Sequence, residues 1–230
     1  MKIAYIGLNL QEGKVKYNDR VFAALAEKFQ PAKLSPYYFE FMLEDYEAAD
    51  AIAIAGGRVL DLLILDIEKI EGRLSRVEGQ AEKDVLGKCL AHLEEQKPLC
   101  DLSLDVSEQT IVKALGPLSF KPTVVLEDTS LDANAVCRAV LEKAGMMFFY
   151  TVGKQEVHAW LVKKGTDAVT CAGKIHSDLA RGFIKAEIIS YEDMMTAHSM
   201  QDARTKGLTK LVDRDCVIQE NTVLEIRFNV

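Results

Sequence analysis

The residues best suited to contact a phosphate lie near the N-terminus, in the segment GLNLQEGKV at residues 7–15. In the loop G-x-x-x-x-G-K-[ST], backbone amides surround the phosphates, the lysine contacts the β and γ oxygens, and the hydroxyl holds magnesium. Here the spacer between Gly7 and Gly13 is one residue longer, Glu12 lies where phosphate would approach, and Val15 replaces the hydroxyl. We therefore predict a vestigial loop whose candidate nucleotide-contacting residues are Gly7, Gly13 and Lys14.

A working loop of this kind also needs a helix whose N-terminus faces the anion. Residues 14–19 are polar and show no helical stripe. We therefore expect no bound cofactor. The alternative is that the altered loop still binds ATP or GTP.

No other set of side chains indicates catalysis or metal binding. The four histidines are scattered, and the chain has no G-x-S-x-G and no H-E-x-x-H motif. The five cysteines form no C-x-x-C pair, which is typical of reduced thiols rather than of a zinc site. His176, Ser177 and Asp178 are consecutive near a helix end, so their side chains diverge and cannot relay a proton. We predict no catalytic residue and no metal site.

The elements around the glycine-rich segment suggest a small α/β layer. The run KIAYIGL is short and apolar and predicts a buried strand, and NLQEGKVKYND predicts a loop. Asn18 or Asp19 can cap a helix that stops before Pro31. PYYFEFM and DAIAIAGG predict two further strands. Residues 1–59 and 99–148 are therefore predicted to form a truncated P-loop-like α/β domain.

Residues 60–98 change to a helical pattern. Apolar residues at 63, 67, 70, 74 and 77 are spaced four, three, four and three residues apart, as in the seam of a coiled coil. Leu86, Leu90 and Leu93 give a second stripe, and Gly79 marks the reversal between the two. We predict an inserted, coiled-coil-like helical hairpin.

Residues 149–230 predict a β-grasp (ubiquitin-like) domain. The order is a hairpin in TVGKQEVHAWLVKKGTDA, a helix with a glycine exit in AVTCAGKIHSDLARGF, a strand in FIKAEIISY and a terminal hairpin in VIQENTVLEIRFNV. Gly182 is expected to end the helix at a positive φ. The fold class is therefore α/β and α+β, with the hairpin between the two parts.

Composition and charge limit the possible partners. The chain has 230 residues, of which 49% are hydrophobic and 27% charged, so it has enough apolar material for a packed core. The net charge of −7 lies in the first 150 residues, because the last 80 are balanced. No apolar stretch is long enough to span a bilayer, and the start lacks a signal-peptide core. We expect a cytoplasmic protein without membrane or DNA partners.

Two C-terminal stretches, CAGKIHSDLARGFIKAEIISYED and LVDRDCVIQENTVLEIRFNV, closely resemble the TGS-like C-terminal domain of the Obg-like ATPases, the YchF family. That family carries A-A-G-x-I-H-[ST]-D-F-x-[RK]-G-F-I-[RK]-A-E-V and ends in a similar F-R-F-N-V. Cys171 and Leu179 depart mildly from the pattern, and the resemblance covers residues 149–230. The matching residues are Ala172, Gly173, Ile175, His176, Ser177, Asp178, Arg181, Gly182, Phe183, Ile184, Lys185, Ala186 and Glu187.

The upstream resemblance is incomplete. YNDRVFAALAEKFQPAKLSPYYFEF is similar to the family segment after switch I, and ILDIEKIEGRLSRVE with CLAHLEEQKPL is similar to its helical hairpin. MLEDYEAAD replaces the D-x-A-G switch II segment. In LEDTSLD, Asp128 and Leu131 stand near the Asn and Glu positions of the base-reading N-x-x-E. The resemblance therefore implies a degenerate family member that does not hydrolyse ATP or GTP.

We predict a non-catalytic interaction protein that binds RNA, the ribosome or a protein. The basic residues Lys174, Arg181 and Lys185 lie seven and four residues apart around the helix exit and, with His176, are the candidate partner-binding residues. The hairpin tip is a second candidate surface. One alternative is a nucleotide-binding protein with an altered loop. Another is a small-protein carrier, which the Phe-Asn-Val ending disfavours because such carriers need a terminal Gly-Gly.

Overall fold

The computed structural model describes residues 1–229, which contain eleven strands, nine α-helices and three short 3-10 helices. The strands are β1 Lys2–Ile6, β2 Gly13–Lys16, β3 Lys33–Ser35, β4 Tyr38–Leu43, β5 Ala51–Ala55, β6 Thr123–Leu126, β7 Met146–Val152, β8 Glu156–Lys163, β9 Phe183–Ser190, β10 Lys210–Val212 and β11 Thr222–Phe228. The helices are α1 Arg20–Phe29, α2 Val59–Leu74, α3 Gln80–Glu94, α4 Val106–Leu115, α5 Ala133–Lys143, α6 Ala168–Ile175, α7 Ser177–Arg181, α8 Tyr191–Met194 and α9 Met200–Thr205.

The chain divides into two compact units, and the division is not at a single point in the sequence. Unit 1 comprises Met1–Val15 and Phe39–Ala144, and unit 2 comprises Lys16–Tyr38 and the chain from Gly145 on. The sequence had placed residues 16–38 in the α/β domain and begun the C-terminal domain at residue 149. The expected fold class, a mixed α/β protein with a helical hairpin, is confirmed.

Unit 1 is built on a sheet in the order β2-β4-β1-β5-β6. β1 pairs in parallel with β4 and β5, and β5 pairs in parallel with β6. Every residue of β5 is buried, which explains its uninterrupted apolar run, because parallel strands covered on both faces need no polar alternation. The predicted strands β1, β4 and β5 are all present.

The helical hairpin of unit 1 also agrees with its sequence pattern. Leu63, Ile70 and Val77 on the predicted seam are buried, and they pack in one cluster with Leu86 and Leu93. Gly79 is the N-cap residue of α3, at the predicted reversal. The cluster also includes residues of α4, a helix that the sequence analysis did not anticipate although Asp105 and Glu108 form a capping box at its start.

One carboxylate is buried in unit 1. Asp66 is 1% exposed and accepts hydrogen bonds from the backbone amides of Leu118 (2.6 Å) and Ser119 (2.8 Å). These amides open a 3-10 helix and have no backbone acceptor of their own there. Asp66 therefore ties α2 to the segment that leads into β6.

Unit 2 is built on a sheet in the order β10-β9-β11-β7-β8-β3. β7 and β8 form the predicted antiparallel hairpin, in which Phe149 faces Trp160. β11 pairs antiparallel with β9 and parallel with β7, so it lies between them. The predicted terminal hairpin is wrong: residues 213–221 are not a strand partner of β11, and Val217 forms only an isolated bridge with Asp167.

The N-terminal segment 16–38 completes this sheet. β3 pairs in parallel with β8, and α1 packs on β7 and β8. Asp19 caps α1 by accepting from the amide of Val21 (2.9 Å), and its other oxygen accepts from the buried hydroxyl of Tyr150 (2.7 Å). Burial is the largest cause that raises the pKa of Tyr150, followed by the Asp19 charge. One side chain thus starts the helix and joins it to β7.

The other side of the sheet carries α6 and α7. The sequence predicted one helix over residues 168–183, but the helix is interrupted at His176, whose extended backbone ends α6 and begins α7. Gly182 follows at φ −93°, so the predicted positive φ is wrong. A glycine is needed at position 182 for a different reason. A Cβ there would lie 2.9 Å from the carbonyl carbon of Asn229 and still closer to its oxygen.

Unit 2 contains a charged network around one buried carboxylate. Glu187 on β9 is 1% exposed and contacts the guanidinium groups of Arg204 (2.6 Å) and Arg227 (2.8 Å), while Thr209 donates to it at 2.7 Å. The hydrogen bonds from Arg204 lower the pKa of Glu187 to about 2, against the opposing effect of burial. β9, β11 and α9 are therefore joined through one carboxylate.

Candidate functional site

The glycine-rich segment follows β1 at the carboxyl end of the unit 1 sheet. This is the edge at which open α/β sheets usually bind ligands. Gly7 has φ +70°, and a Cβ there would lie 2.9 Å from both the Ala55 Cβ and the Arg58 Cγ. A glycine is therefore needed at position 7 for two reasons: the backbone is left-handed there, and the end of β5 leaves no space for a side chain.

The segment then returns as a strand rather than as a helix. The Tyr5 hydroxyl donates to the Leu10 carbonyl (3.1 Å), and the Glu12 carboxylate accepts from the amide of Leu43 (3.2 Å). Gly13, at φ +115°, begins β2. The expected loop thus contains a strand, and no helix N-terminus follows Gly7 within residues 8–16.

Lys14 lies away from Gly7. Lys14 lies on β2 and Gly7 follows β1, and β4 separates these two strands, which are therefore about 10 Å apart. Lys14 is exposed on the edge strand. The structure does not bring Gly7, Gly13 and Lys14 together as a phosphate cradle. The described residues therefore do not fit a magnesium–nucleotide group in the arrangement of the consensus loop.

The loops at this edge are acidic. Glu44 follows β4, Glu127 follows β6, and the Glu127 carboxylate lies against Gly56, where a Cβ would be 2.5 Å from its Oε1. Arg58 is the nearby cation, but it forms an ion pair with Asp61. Sequence reasoning missed the close approach of Glu127 to Gly56 because the two residues follow different strands.

The predicted partner-binding residues are close in sequence but differ in whether they form ion pairs. Arg181 pairs with Asp178 at 2.9 Å, and Lys185 pairs with Asp213. The His176 ring accepts from the amide of Asp178 at 3.1 Å and so caps α7. Of the predicted set, Lys174 alone is a cation that no carboxylate within residues 1–229 neutralises.

Lys174 borders a groove between the β7–β8 hairpin and α6, which we call the lysine groove. It has a volume of about 760 Å³ and is lined by Lys163, Lys174, Thr170 and apolar side chains that include Val162 and Val169. Lys164 follows Lys163 in the turn that leads to α6. The sequence analysis missed Lys163 and Lys164, because eleven residues separate Lys163 from Lys174 in the chain.

Residues 1–229 contain neither a metal-binding cluster nor a membrane-spanning helix. No cluster of three or more His, Cys, Asp or Glu side chains is placed to hold a metal ion. No helix in this range combines the length and apolar character needed to cross a bilayer.

Comparison with known proteins shows what this chain is similar to. Residues 146–229 match the family model YchF-GTPase_C, described as "Protein of unknown function (DUF933)". The protein named Ribosome-binding ATPase YchF of Bacillus subtilis is 30% identical over 237 residues, covering 74% of this chain and 65% of the relative. The protein of the same name in Mycoplasma pneumoniae is 45% identical over 121 residues, covering 50% of this chain and 31% of the relative.

The chain thus spans slightly less than two thirds of the Bacillus relative. A solved structure, titled "Structure of the Schizosaccharomyces pombe YchF GTPase", superposes with a TM-score of 0.81 at 16% identity, covering 99% of this chain and 97% of that chain. At this identity the likeness establishes the shared fold.

These relatives correct one prediction. They are named ATPases, so the expectation that this protein is not an enzyme is contradicted. That expectation rested on the loss of the consensus loop residues, which excludes only one arrangement of nucleotide contacts and does not outweigh the similarity to these relatives.

Proposed function

We propose that this chain, a relative of the YchF, Obg-like proteins, binds the ribosome through unit 2. Unit 2 carries the C-terminal domain of those proteins. The observation that carries the proposal is the match of residues 146–229 to the YchF C-terminal model, within relatives named ribosome-binding. We further propose that this domain is of the TGS type and that the protein is cytoplasmic, where ribosomes are found.

The charge distribution supports unit 2 over unit 1 as the ribosome-binding part. Unit 2 has 15 lysines and arginines against 13 aspartates and glutamates, whereas unit 1 has 13 against 22. Ribosomal RNA is a polyanion, and binding to it releases counterions that cations on the protein replace. An acidic unit is repelled by such a surface.

Sedimentation with ribosomes tests this proposal. Purified full-length protein should pellet with ribosomes through a sucrose cushion, and the bound fraction should fall steeply as salt is raised. The control is the same protein centrifuged without ribosomes. Absence of protein from the ribosomal pellet at low salt would contradict the proposal.

The second proposal is that the protein binds and hydrolyses a nucleoside triphosphate, and the names of the relatives favour it. The carboxyl edge of the unit 1 sheet is the position for such a ligand, with Gly7, Gly13 and Lys14 as the nearest residues of the glycine-rich segment. Because β2 replaces the helix after this segment, phosphate contacts there must differ from those of the consensus loop.

Nucleotide titration and turnover test the second proposal separately. Fluorescent ATP and GTP analogues should bind the full chain, and phosphate release should exceed that of a heat-inactivated sample. Gly7→Val, which fills the space against Ala55 and Arg58, should abolish both signals, and Lys206→Gln on unit 2 is the matched control. Wild-type protein without nucleotide binding would refute this proposal and leave ribosome binding intact.

A further inference from the structure

The lysine groove of unit 2 carries positive charge and has no carboxylate among its lining residues. Lys163 and Lys174 lie on its walls, and none of its lining residues is acidic. Two other grooves of unit 2 each include a glutamate: Glu225 in one, and both Glu156 and Glu225 in the other. The lysine groove is therefore suited to an anion in a way that those two are not.

The cations of the groove are also available. Lys163, Lys164 and Lys174 are exposed, and no carboxylate within residues 1–229 forms an ion pair with them. By contrast, Arg181 and Lys185 on the same domain are held by Asp178 and Asp213. An anion binding at the groove thus breaks no existing ion pair.

The shape of the groove is fixed by local contacts. The Thr166 hydroxyl donates to the Lys163 carbonyl at 2.6 Å, which holds the turn that carries Lys163. Gly173 lets α7 approach α6, because a Cβ at Gly173 would lie 3.3 Å from the Cβ of Ala180. The wall that presents Lys174 is therefore preformed.

Part of the groove lining is apolar. Val162 and Val169 line the groove together with the two lysines, and the Thr170 side chain is exposed. An RNA strand offers phosphates at regular intervals for the lysines and sugar and base faces for the apolar side chains. Its 2′-hydroxyl can pair with a threonine hydroxyl.

We propose that the lysine groove binds the phosphate backbone of a single-stranded RNA segment, with Lys163 and Lys174 as phosphate contacts. This proposal rests on the proposed ribosome binding for the source of the RNA, but the binding chemistry is independent of it. An acidic polypeptide is the other anion of suitable size, and the test below includes it.

The test compares two variants of equal charge in the full chain. Lys163→Gln with Lys174→Gln removes both groove lysines. Lys16→Gln with Lys210→Gln removes two exposed lysines outside the groove. Each is titrated with an oligouridine of about 12 nucleotides at several salt concentrations. The slope of log K against log salt should fall in magnitude by about 1.4 in the groove variant, since each single-strand contact contributes about 0.7.

We also expect the groove variant to bind the RNA roughly tenfold more weakly or worse at about 0.1 M salt, while the control stays close to wild type. Equal losses in both variants, or an unchanged slope in the groove variant, would overturn the proposal. A polyglutamate of equal length that displaces the RNA at equal concentration would overturn it in favour of an acidic protein partner.

Ribosome pelleting separates this inference from the proposed function. Wild-type protein that binds oligouridine through the groove but does not pellet refutes ribosome binding and supports the groove. Wild-type protein that pellets while the groove variant pellets and binds RNA equally well refutes the groove and supports ribosome binding. Thermal melting of both variants confirms that they are folded.

Discussion

Unit 1 and unit 2 each bury one carboxylate, but the groups that contact the two carboxylates differ. In unit 1, Asp66 accepts two backbone amides, at Leu118 and Ser119, and meets no cation. In unit 2, Glu187 meets the guanidinium groups of Arg204 and Arg227. The first arrangement satisfies two backbone amides at a helix end through hydrogen bonds. The second relies on ion pairs with two guanidinium groups. The stability of unit 2 should therefore respond to pH through Glu187, whose pKa is lowered to about 2.

The units also differ in surface charge, and this difference is relevant to binding. Unit 1 holds the excess of acidic residues, several of them at the edge where an α/β sheet binds ligands. Unit 2 is nearly balanced but concentrates free lysines at one groove. This difference supports our proposal that an RNA partner binds unit 2. Nucleotide phosphates at the unit 1 edge would have to overcome nearby carboxylates.

The largest expected effect concerns the two segments of unit 2. A fragment beginning at Gly145 lacks β3 and α1, so it leaves β8 unpaired at its edge and the Phe148 ring without its stacking partner Tyr17. We expect this fragment to remain unfolded or to aggregate. Circular dichroism and amide NMR of the fragment measure this, with and without an added peptide of residues 16–38. A dispersed spectrum from the fragment alone would show that unit 2 does not need its N-terminal segment.

The second prediction is for Glu187→Gln. Because the pKa of Glu187 is lowered from 4.5 to about 2, chiefly by Arg204, its charge stabilises the fold above about pH 4.5 and this contribution is lost as the pH falls towards 2. The variant should lose about 3 kcal/mol at neutral pH and show a flatter pH dependence. Urea unfolding from pH 7 to pH 2 measures both quantities.

Glu225→Gln is the control for this substitution, since Glu225 contacts the same Arg204 but is half exposed. It should change stability by less than about 1 kcal/mol. Equal effects of the two substitutions would contradict the importance of the buried carboxylate.

The third prediction is for Gly182→Ala in unit 2. The added Cβ would overlap the backbone of Asn229, whose amide donates to the Gly182 carbonyl at 2.9 Å. We expect a loss of about 1–3 kcal/mol from the strain of moving β11. Thermal melting measures the loss, and an unchanged melting temperature would mean that the chain near Asn229 can move away freely.

The smallest expected effect has the opposite sign and lies in unit 1. Gly87 is exposed within α3, and a Cβ there meets no atom within 4 Å. Gly87→Ala should therefore stabilise the protein by about 0.5–1 kcal/mol through helix propensity. The same melting experiment detects it. Destabilisation would mean that α3 does not accept a Cβ at this position without strain.

The sequence predicted the elements whose signals are local. Asp19 precedes an amphipathic helix and caps it, and the spacing of Leu63, Ile70 and Val77 placed the hairpin seam. The break at His176 was missed because the residues on both sides have helical patterns. Strand β2 was missed because the short run GKVK has too few apolar residues to distinguish an edge strand from a loop.

The site was harder to predict because its features depend on pairing between distant segments. The sequence gives Lys185 as a free cation, but its partner Asp213 is 28 residues further along the chain. Lys163 and Lys174 become neighbours across one groove only when α6 packs on the β7–β8 hairpin. Likewise, the distance of Lys14 from Gly7 is set by β4, which inserts between their strands.

The divided sequence of unit 2 has a consequence for synthesis. Residues 16–38 leave the translating ribosome more than 100 residues before β7 and β8, the strands on which α1 packs. At about 5–20 residues per second this delay is roughly 5–20 s. An isolated ten-residue helix is marginal in water, so Phe22 and Leu25 stay exposed on the nascent chain for that time. This segment is therefore open to chaperone capture before folding is complete.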